Sequence, residues 1–376
     1  MNITDNSIKK PLHFLKDHIS STKLNLLGKS VSSKLLIIES DDWGAVRTPS
    51  ASALVEFSKV GMDVEKSFYR NDAIASNEDI ELLFNLLSSI KDRYGNHPVI
   101  TANIITGNPD FDAIIGDSFS NYYYEPFTHT VEKYPDHDRI LSLWKSGIEQ
   151  GVFYPQFHGR EHVNTSRWLK ALRNGDKFTR FAFNFGSTYS GVGDYSYMES
   201  LDWDTFDQIE EQKTSIAEGL DIFNDAFGFY PASFIAPCYC WDPELEGVLQ
   251  SKGVSIIQGS KTQKVPTGKY LNYEKKKRSF GSINHLGQIA NVRNVFFEPS
   301  LNYNKDWVDS ALNRIQNAFL FNKPAVITSH RINYVGFISN ENRNRGLNKL
   351  EELLKKLLAK WPDVKFIHTA QLPKYL

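Results

Sequence analysis

Short apolar runs of strand length alternate with longer segments of helical period from residue 34 to the end of the chain. No other feature constrains the fold as strongly, because strands separated by helices pair into a parallel sheet with right-handed crossovers. The apolar runs predict strands over residues 35–40, 99–105, 152–157, 181–187, 233–237, 255–260, 292–298, 325–330 and 365–369. Apolar faces at helical spacing predict helices over residues 78–94, 204–228 and 341–360, the last capped by Ser339 or Asn340.

This alternation predicts an α/β fold built as a single distorted or incomplete (β/α) barrel of about seven parallel strands. The length of 376 residues also fits two domains, but α/β barrels run well past about 200 residues as one domain. We therefore expect an N-terminal leader over residues 1–33 and one barrel over residues 34–376. Two segments break the pattern, and we expect long inserted loops at about 106–139 and 261–291.

The charge balance and the cysteine count exclude several classes of protein. The chain has 43 Lys and Arg against 44 Asp and Glu, whereas binding to a nucleic-acid backbone needs a strong basic excess. Its two cysteines, Cys238 and Cys240, are too few for a disulfide framework and too close for a zinc knuckle. The sequence shows neither the apolar core of a secretion signal nor the ~18 apolar residues of a membrane span. We therefore predict a cytoplasmic protein with no nucleic-acid partner and no membrane span.

Polar residues follow three of the predicted strands at the point where each strand ends. Asp41 and Asp42 follow the first strand, the segment HGREH at 158–162 follows the third, and His330 ends the eighth. In a (β/α) barrel the carboxyl ends of the strands meet on one face, which carries the active site. The sequence therefore predicts that these side chains share one site.

The residue types in these clusters predict a metal site with an acid–base pair. His158 and His162 are four residues apart, so one helical turn places both imidazoles on one face. Either Asp41 or Asp42 supplies the third ligand of a two-His, one-carboxylate zinc site, and the other Asp acts as the general base. His330 is then the general acid. Each feature alone has a plainer interpretation, since Asp-Asp pairs form turns and single histidines are often structural.

Four segments together resemble the motifs of the polysaccharide deacetylases (carbohydrate esterase family four). SDDWG at 40–44 is similar to the first motif, T-F-D-D-G, and HGREH at 158–162 to the second, H-[ST]-x-x-H. FIAPC at 234–238 is similar to the third motif, R-x-P-[YFW], and VITSH at 326–330 to the last. The helix and turn over 211–234 also resemble the family segment that precedes the third motif.

The resemblance implies an incomplete (β/α) barrel and a hydrolase that removes an acetyl group from an N-acetylated or O-acetylated saccharide or sugar conjugate. It implies that Asp41 is the base and that Asp42, His158 and His162 bind a divalent metal ion, with Zn²⁺ expected. His330 takes the role of the acid.

The third motif departs from the family pattern. The family arginine that orients the base falls at Ile235, so we expect Arg47, Arg160 or Arg331 to replace it in space. Cys238 stands in place of the motif's aromatic residue, but its backbone N–H can still donate to an oxyanion. Trp43 is a further candidate for substrate contact, by stacking on a sugar face.

The loss of the family arginine leaves two alternative hypotheses open. One is hydrolysis of a non-sugar C–N bond at the same metal site, as in allantoinase-like relatives. The other is a saccharide-binding protein without catalysis.

The basic segment 261–291 is most simply a solvated hairpin or loop tip, and alternatively it receives a phosphate-bearing substrate. The sequence does not predict the oligomeric state.

Overall fold

The structure, a computed structural model, describes residues 19–65, 68–192 and 197–376. Residues 1–18 of the predicted leader lie outside the described residues. The strands are β1 (Leu35–Trp43), β2 (Ile100–Ile104), β3 (Gly107–Pro109), β4 (Tyr124–Pro126), β5 (Phe153–Phe157), β6 (Ser233–Phe234), β7 (Ile256–Gly259), β8 (Thr262–Pro266), β9 (Tyr273–Lys277), β10 (Ile289–Val292), β11 (Val295–Phe296), β12 (Ala325–His330) and β13 (Lys365–Phe366).

The α-helices pack mainly around the outside of the main sheet. They are α1 (Ala51–Lys59), α2 (Asn77–Ser88), α3 (Phe111–Gly116), α4 (Phe127–Glu132), α5 (Ile140–Gln150), α6 (Thr165–Arg173), α7 (Lys177–Phe183), α8 (Gln208–Phe227), α9 (Glu246–Ser251), α10 (Trp307–Leu320) and α11 (Asn340–Lys360). Within the three described ranges, no helix combines the length and the hydrophobicity that a membrane crossing requires.

The main sheet runs in the order β10-β7-β6-β5-β2-β1-β12-β11, with β13 beside the start of β1, and its strand pairs are parallel. Residues 289–296 connect its two edges, because β10 pairs with β7 while β11 pairs with β12. Between these halves, Arg293 N–H donates to the Gly259 carbonyl and Asn294 N–H to the Val326 carbonyl. The sheet therefore curls into the predicted distorted (β/α) barrel.

The outer and inner faces of the barrel wall bury different kinds of side chain. Side chains such as Leu36 and Ile38 of β1 face outward into the large apolar core beneath the helices. Several buried polar side chains instead form a hydrogen-bonded network that includes Glu39, Thr101, Asn103, Gln258, Asn291, Arg293 and Thr369. Buried polar groups are stable only when they are paired, so this network fixes the positions of the charged groups above it.

One strand prediction is wrong and one loop prediction needs correction. Residues 181–187 fall in helix α7 and the turn after it, because Asp176 caps the helix and Phe183 packs on Trp168 as a helical side chain. The segment 106–139 was expected to be a long loop. It contains the short hairpin β3–β4 and the helices α3 and α4.

The other long segment and two of the three predicted helices agree with the sequence predictions, whereas α2 ends at Ser88, short of the predicted residue 94. Residues 261–278 contain the antiparallel hairpin β8–β9, which matches the interpretation of the lysine run as a solvated hairpin. Helix α11 begins after Ser339, whose hydroxyl accepts from the Asn342 N–H as the predicted N-cap.

Candidate metal centre

The ends of β1, β5 and β12 meet at one cavity of about 150 Å³. Three of the predicted clusters thus come together as the barrel architecture requires. The cavity is lined by Asp41, Asp42, Arg47, Phe68, His158, His162, Met198, Ala236, Cys238, Tyr239 and His330.

Asp42, His158 and His162 form a group of three potential metal ligands. One ligand atom of each lies within 4.8 Å of the other two. The Nε2 atoms of His158 and His162 are 3.3 and 3.2 Å from the same oxygen, Oδ1 of Asp42. Ligands held at 2.0–2.2 Å in a tetrahedral zinc site lie about 3.3–3.6 Å apart, so the spacing of each histidine from Asp42 fits ligands of one shared ion.

The hydrogen bonding of His158 and Asp42 also fits a metal site. Its Nδ1 lies 2.9 Å from the carbonyl oxygen of Ile235. Because a carbonyl oxygen only accepts, Nδ1 donates, and this bond orients the ring so that Nε2 faces Asp42. Oδ1 of Asp42 is buried and has no hydrogen-bond partner among the described residues. A buried carboxylate oxygen without a hydrogen bond, faced by the Nε2 atoms of two histidines, is a donor set that fits a metal ion.

His162 is held in the neutral form that binds metals. Its burial, together with the positive charge of Arg47, lowers the pKa of His162 well below its usual value. Arg47 also places Nη2 3.1 Å from Oδ1 of Asp42, and its Nε lies 2.9 Å from Asp72. Arg47 therefore orients the ligand carboxylate and is not paired with the predicted base.

The backbone at Asp42 explains how two neighbouring carboxylates reach one cavity. Asp42 has a φ of 75°, and the pairing of β1 with β2 shifts register between Ser40 and Trp43. A positive φ is uncommon outside glycine, and such conformations concentrate at functional sites. The shift breaks the regular alternation of side chains along the strand. Asp42 therefore reaches His158 and His162, while Asp41 stays in the polar interior.

Asp41 is bound on both oxygens by Arg293, a residue that the motif comparison did not identify. Nη1 of Arg293 lies 2.6 Å from Oδ2, and Nη2 lies 2.7 Å from Oδ1. Asn103 also donates to Oδ1 at 2.7 Å, and Nε of Arg293 donates to Glu39 at 2.6 Å. Burial opposes ionisation of Asp41, but the charge of Arg293 outweighs it and holds the pKa of Asp41 below its usual value.

His330 is bound by Glu298, a second residue that the sequence prediction missed. Nδ1 of His330 lies 2.6 Å from Oε1 of Glu298, and Nε2 lies 3.8 Å from Oδ2 of Asp41. Asn333 holds the other oxygen of Glu298 at 2.7 Å. Burial disfavours the charged imidazole, yet Glu298 raises the pKa of His330 to about 10. Glu298 therefore favours the protonated form of His330.

The remaining predicted residues divide between the cavity and the core. Cys238 lines the cavity with a φ of 54°, and burial raises the pKa of its thiol to about 12, which disfavours a thiolate ligand. Trp43 is 1% exposed, packs edge-on against Trp144 and Phe153, and donates to Ser40. Its ring is therefore part of the core and is not available to stack on a sugar.

The three arginines expected to replace the family arginine do not contact Asp41. Arg47 pairs with Asp42 and Asp72, Arg160 with Glu161 and Glu218, and Arg331 with Asp72. Arg293 and Glu298 lie instead near the two ends of the predicted strand 292–298. The rule that singled out His330, a polar residue at a strand end, would also have found Glu298. The partner of Arg293 becomes evident only in three dimensions.

No known protein family matches this sequence, and no curated protein matches it. Solved structures with a similar fold include the 4-alpha-glucanotransferase from Thermococcus litoralis, with a TM-score of 0.46 and 10% identity over 91% of this chain. This chain spans only 41% of the glucanotransferase chain.

Two further structures that align with this chain are a deacetylase and a CE4 family pseudoenzyme. The peptidoglycan deacetylase PdaC from Bacillus subtilis aligns over 92% of each chain, with a TM-score of 0.35 and 11% identity. A CE4 family pseudoenzyme from Bacillus anthracis aligns over 91% of this chain and 66% of its own, with a TM-score of 0.38 and 8% identity. At these levels of similarity neither an active enzyme nor a pseudoenzyme indicates what this chain does, and the function depends on its own site.

Proposed function

We propose that this protein is a metal-dependent deacetylase that removes an acetyl group from an N-acetylated or O-acetylated saccharide or saccharide conjugate. One observation supports the proposal above all others. Two histidines and a carboxylate at metal-ligand spacing, an aspartate held by Arg293 and a histidine held by Glu298 line a single cavity. Hydrolysis of an amide needs these three functions together, because water must be activated and the departing amine must receive a proton.

Asp42, His158 and His162 are the residues that would hold the ion. A divalent ion bound there lowers the pKa of water and polarises a carbonyl group, and zinc suits a donor set of two imidazoles and one carboxylate. The protein prepares the group for binding, since the Ile235 carbonyl fixes the ring of His158 and Arg47 fixes the carboxylate of Asp42.

Asp41 acts as the general base. Oδ1 of Asp41 accepts from both Asn103 and Arg293, whereas Oδ2 accepts only from Arg293. A carboxylate oxygen has two lone-pair directions, so Oδ2 retains one to receive the proton of a water in the cavity. The Oδ2 atom is also the one that lies 3.8 Å from Nε2 of His330.

His330 acts as the general acid. Because Nδ1 is engaged by Glu298, the proton that can be transferred is on Nε2, which faces Asp41. When water adds to the acetyl carbonyl and the C–N bond breaks, the amine nitrogen takes this proton and acetate is released. The backbone N–H of Cys238, at the cavity wall, is the proposed donor to the oxyanion.

Acetate release and metal content, measured on the same variants, test this assignment. Asp41→Asn keeps the size of the side chain but removes the base, so we expect normal metal content and no measurable acetate release. Asp42→Ala removes a ligand and is expected to lose both. Asp112→Asn, an exposed carboxylate in α3, is the matched control and leaves both unchanged. A fully active Asp41→Asn enzyme would falsify the mechanism.

The two alternative functions were motivated by Ile235 in place of the family arginine. Arg293, between β10 and β11, supplies a guanidinium to Asp41, so the substitution no longer argues against catalysis. Assays of the metal-loaded protein on acetylated sugars and on cyclic amides separate the sugar deacetylase from the allantoinase-like hydrolase.

A further inference from the structure

The hairpin β8–β9 is a strongly basic arm that rises from the catalytic end of the barrel. Residues 261–277 carry six lysines and a single acidic residue, Glu274, in a chain whose formal net charge is −1. Among the residues that the structure describes, no carboxylate lies within 4.0 Å of any of these six ammonium groups. The lysines are Lys261, Lys264, Lys269, Lys275, Lys276 and Lys277.

Hydrogen bonds and an ion pair fix the arm to the barrel rim. The Trp241 N–H donates to the Lys264 carbonyl at 3.1 Å, and the Gln263 amide donates to the Trp241 carbonyl at 3.0 Å. At the base of the arm, Arg278 pairs with the buried carboxylate of Glu246. The tyrosine hydroxyl of Tyr273 donates to Asp202 at 3.2 Å. The positive charge therefore has a defined position relative to the candidate site.

The strand register divides the lysines between two faces. Lys264 lies directly opposite Lys275, and Tyr273 and Lys277 are two residues away from Lys275, so these four side chains share one face. Lys276 lies on the other face, opposite Gln263. The side-chain amide of Gln263 donates to the Trp241 carbonyl. We call the surface formed by Lys264, Lys275 and Lys277 the lysine face.

The lysine face lies next to the cavity wall. Lys264 forms a parallel bridge with Cys240, two residues after Cys238, which lines the cavity. Two residues span at most about 7 Å and paired chains lie about 4.8 Å apart, so the lysine face begins within about 10 Å of the cavity. The charge of Lys264 also acts on the Cys238 thiol, where it opposes the larger effect of burial on the pKa.

We propose that the substrate is a saccharide conjugate with a phosphate or diphosphate group, which binds the lysine face while the acetyl group occupies the metal cavity. This inference rests on the proposed deacetylase function. Lysines bind phosphate as point charges, and three adjacent ammonium groups match a multiply charged group with several acceptor oxygens better than a single carboxylate.

Kinetics on charged and uncharged substrates test the proposal. We expect a lower KM for UDP-N-acetylglucosamine, or for a polyprenyl-diphosphate-linked N-acetylglucosamine in detergent micelles, than for N,N′-diacetylchitobiose. Whichever of the two phosphate-bearing substrates is consumed identifies the source of the phosphate. The double variant Lys264→Gln/Lys275→Gln is expected to raise the KM of that substrate by about tenfold for each lysine, the loss of one charge-assisted hydrogen bond.

The matched control is Lys276→Gln, which removes the same charge from the opposite face of the same strand. It is expected to leave the KM of both substrate types unchanged, and the double variant is expected to leave the KM for diacetylchitobiose unchanged. Equal KM values for charged and uncharged substrates would overturn the proposal. So would an equal loss in Lys276→Gln, because the effect would then come from the general field of the arm.

A binding measurement separates this proposal from the deacetylase function. Calorimetry with UDP as the probe needs no turnover, and we expect binding that is lost in the Lys264→Gln/Lys275→Gln variant. If UDP binds in this way but no acetylated sugar releases acetate, the phosphate site stands and the proposed activity fails. If acetate is released from diacetylchitobiose but UDP does not bind, the activity stands and the phosphate site fails.

Discussion

The guanidinium of Arg293 lies between two buried carboxylates, with both Nη atoms on Asp41 and Nε on Glu39. Arg293 is 2% exposed and Glu39 is fully buried, so water screens these charges poorly. Removing one partner of a buried ion pair leaves the others uncompensated and typically costs about 3–5 kcal/mol. Arg293 therefore stabilises the barrel interior and orients Asp41, the proposed base, at the same time.

Arg293→Lys tests the positioning role, because it keeps the charge but loses the two parallel bonds to Asp41. We expect kcat for acetate release to fall by about 10- to 100-fold, the usual cost of losing a group that orients a site residue, with KM and metal content little changed. Arg293→Met should in addition lower the free energy of unfolding by about 3–5 kcal/mol. Wild-type kcat in Arg293→Lys would show that Arg293 is structural only.

Glu298→Gln tests the state of the general acid. Glu298 raises the pKa of His330 to about 10, against the effect of burial, and the nearby Asp41 and Asp42 act in the same direction. A histidine with a raised pKa stays protonated below that value and loses its proton as the pH rises through it. The variant should therefore move the alkaline limb of kcat/KM to lower pH. Glu341→Gln, on the surface of α11, should leave the limb in place, and an unmoved limb in Glu298→Gln would contradict the assignment.

Helix α11 supports the candidate site through a close backbone contact at Gly346. A Cβ atom added there would lie 1.6 Å from the carbonyl oxygen of Asn333, so no side chain fits unless the helix moves. Asn333 in turn donates to the Glu298 carboxylate that holds His330. The packing of α11 is thus connected to His330, the proposed general acid, through Asn333 and Glu298.

Gly346→Ala should destabilise the protein, even though alanine favours helices. Overpacking costs about 1–3 kcal/mol, and a displaced Asn333 should also lower kcat. Gly247→Ala in α9 is the control, because nothing lies within 4 Å of its added Cβ and the helix propensity of alanine should raise stability by up to about 1 kcal/mol. Denaturant unfolding of both variants gives the two free energies. Equal effects would disprove the close contact.

At the scale of the whole molecule, residues 289–296 connect the two edges of the sheet. The same segment carries Arg293 at its centre, since β10 pairs with β7, β11 pairs with β12, and the arginine lies between the two pairings. The contacts that close the barrel and the contacts that position Asp41 therefore come from one stretch of chain. This arrangement couples the stability of the fold to the geometry of the site.

Metal binding should therefore stabilise the whole barrel. A ligand that binds only the folded state adds about 2.7 kcal/mol at one hundred times its Kd, so zinc should raise Tm by several degrees over chelator-treated protein. Asp42→Ala, which lacks one ligand, should show no zinc-dependent shift. A shift of wild-type size in that variant would show that zinc stabilises the protein from another site.

Local patterns predicted most of the wall of the barrel and failed where local and tertiary signals differ. The prediction for β12 has the observed bounds, because its run of Ala, Val and Ile is buried on both faces. The prediction of a strand at 181–187 is wrong, since a short apolar run does not distinguish a strand from a buried helix. Asp176, which caps the helix, stabilises the helical conformation instead. The hairpin and helices within 106–139 were missed because each is only three to six residues long.

The sequence by itself determined the parallel barrel and brought Asp41, Asp42, His158, His162 and His330 to one end of it. Alternating strands and helices allow few topologies, and the strands of a parallel sheet end on the same side. Only the tertiary structure decided that Arg293 holds Asp41, that Glu298 holds His330 and that Trp43 belongs to the core. These pairings join residues 32 to 252 positions apart, and a local pattern carries no information about contacts that the closing of the barrel creates.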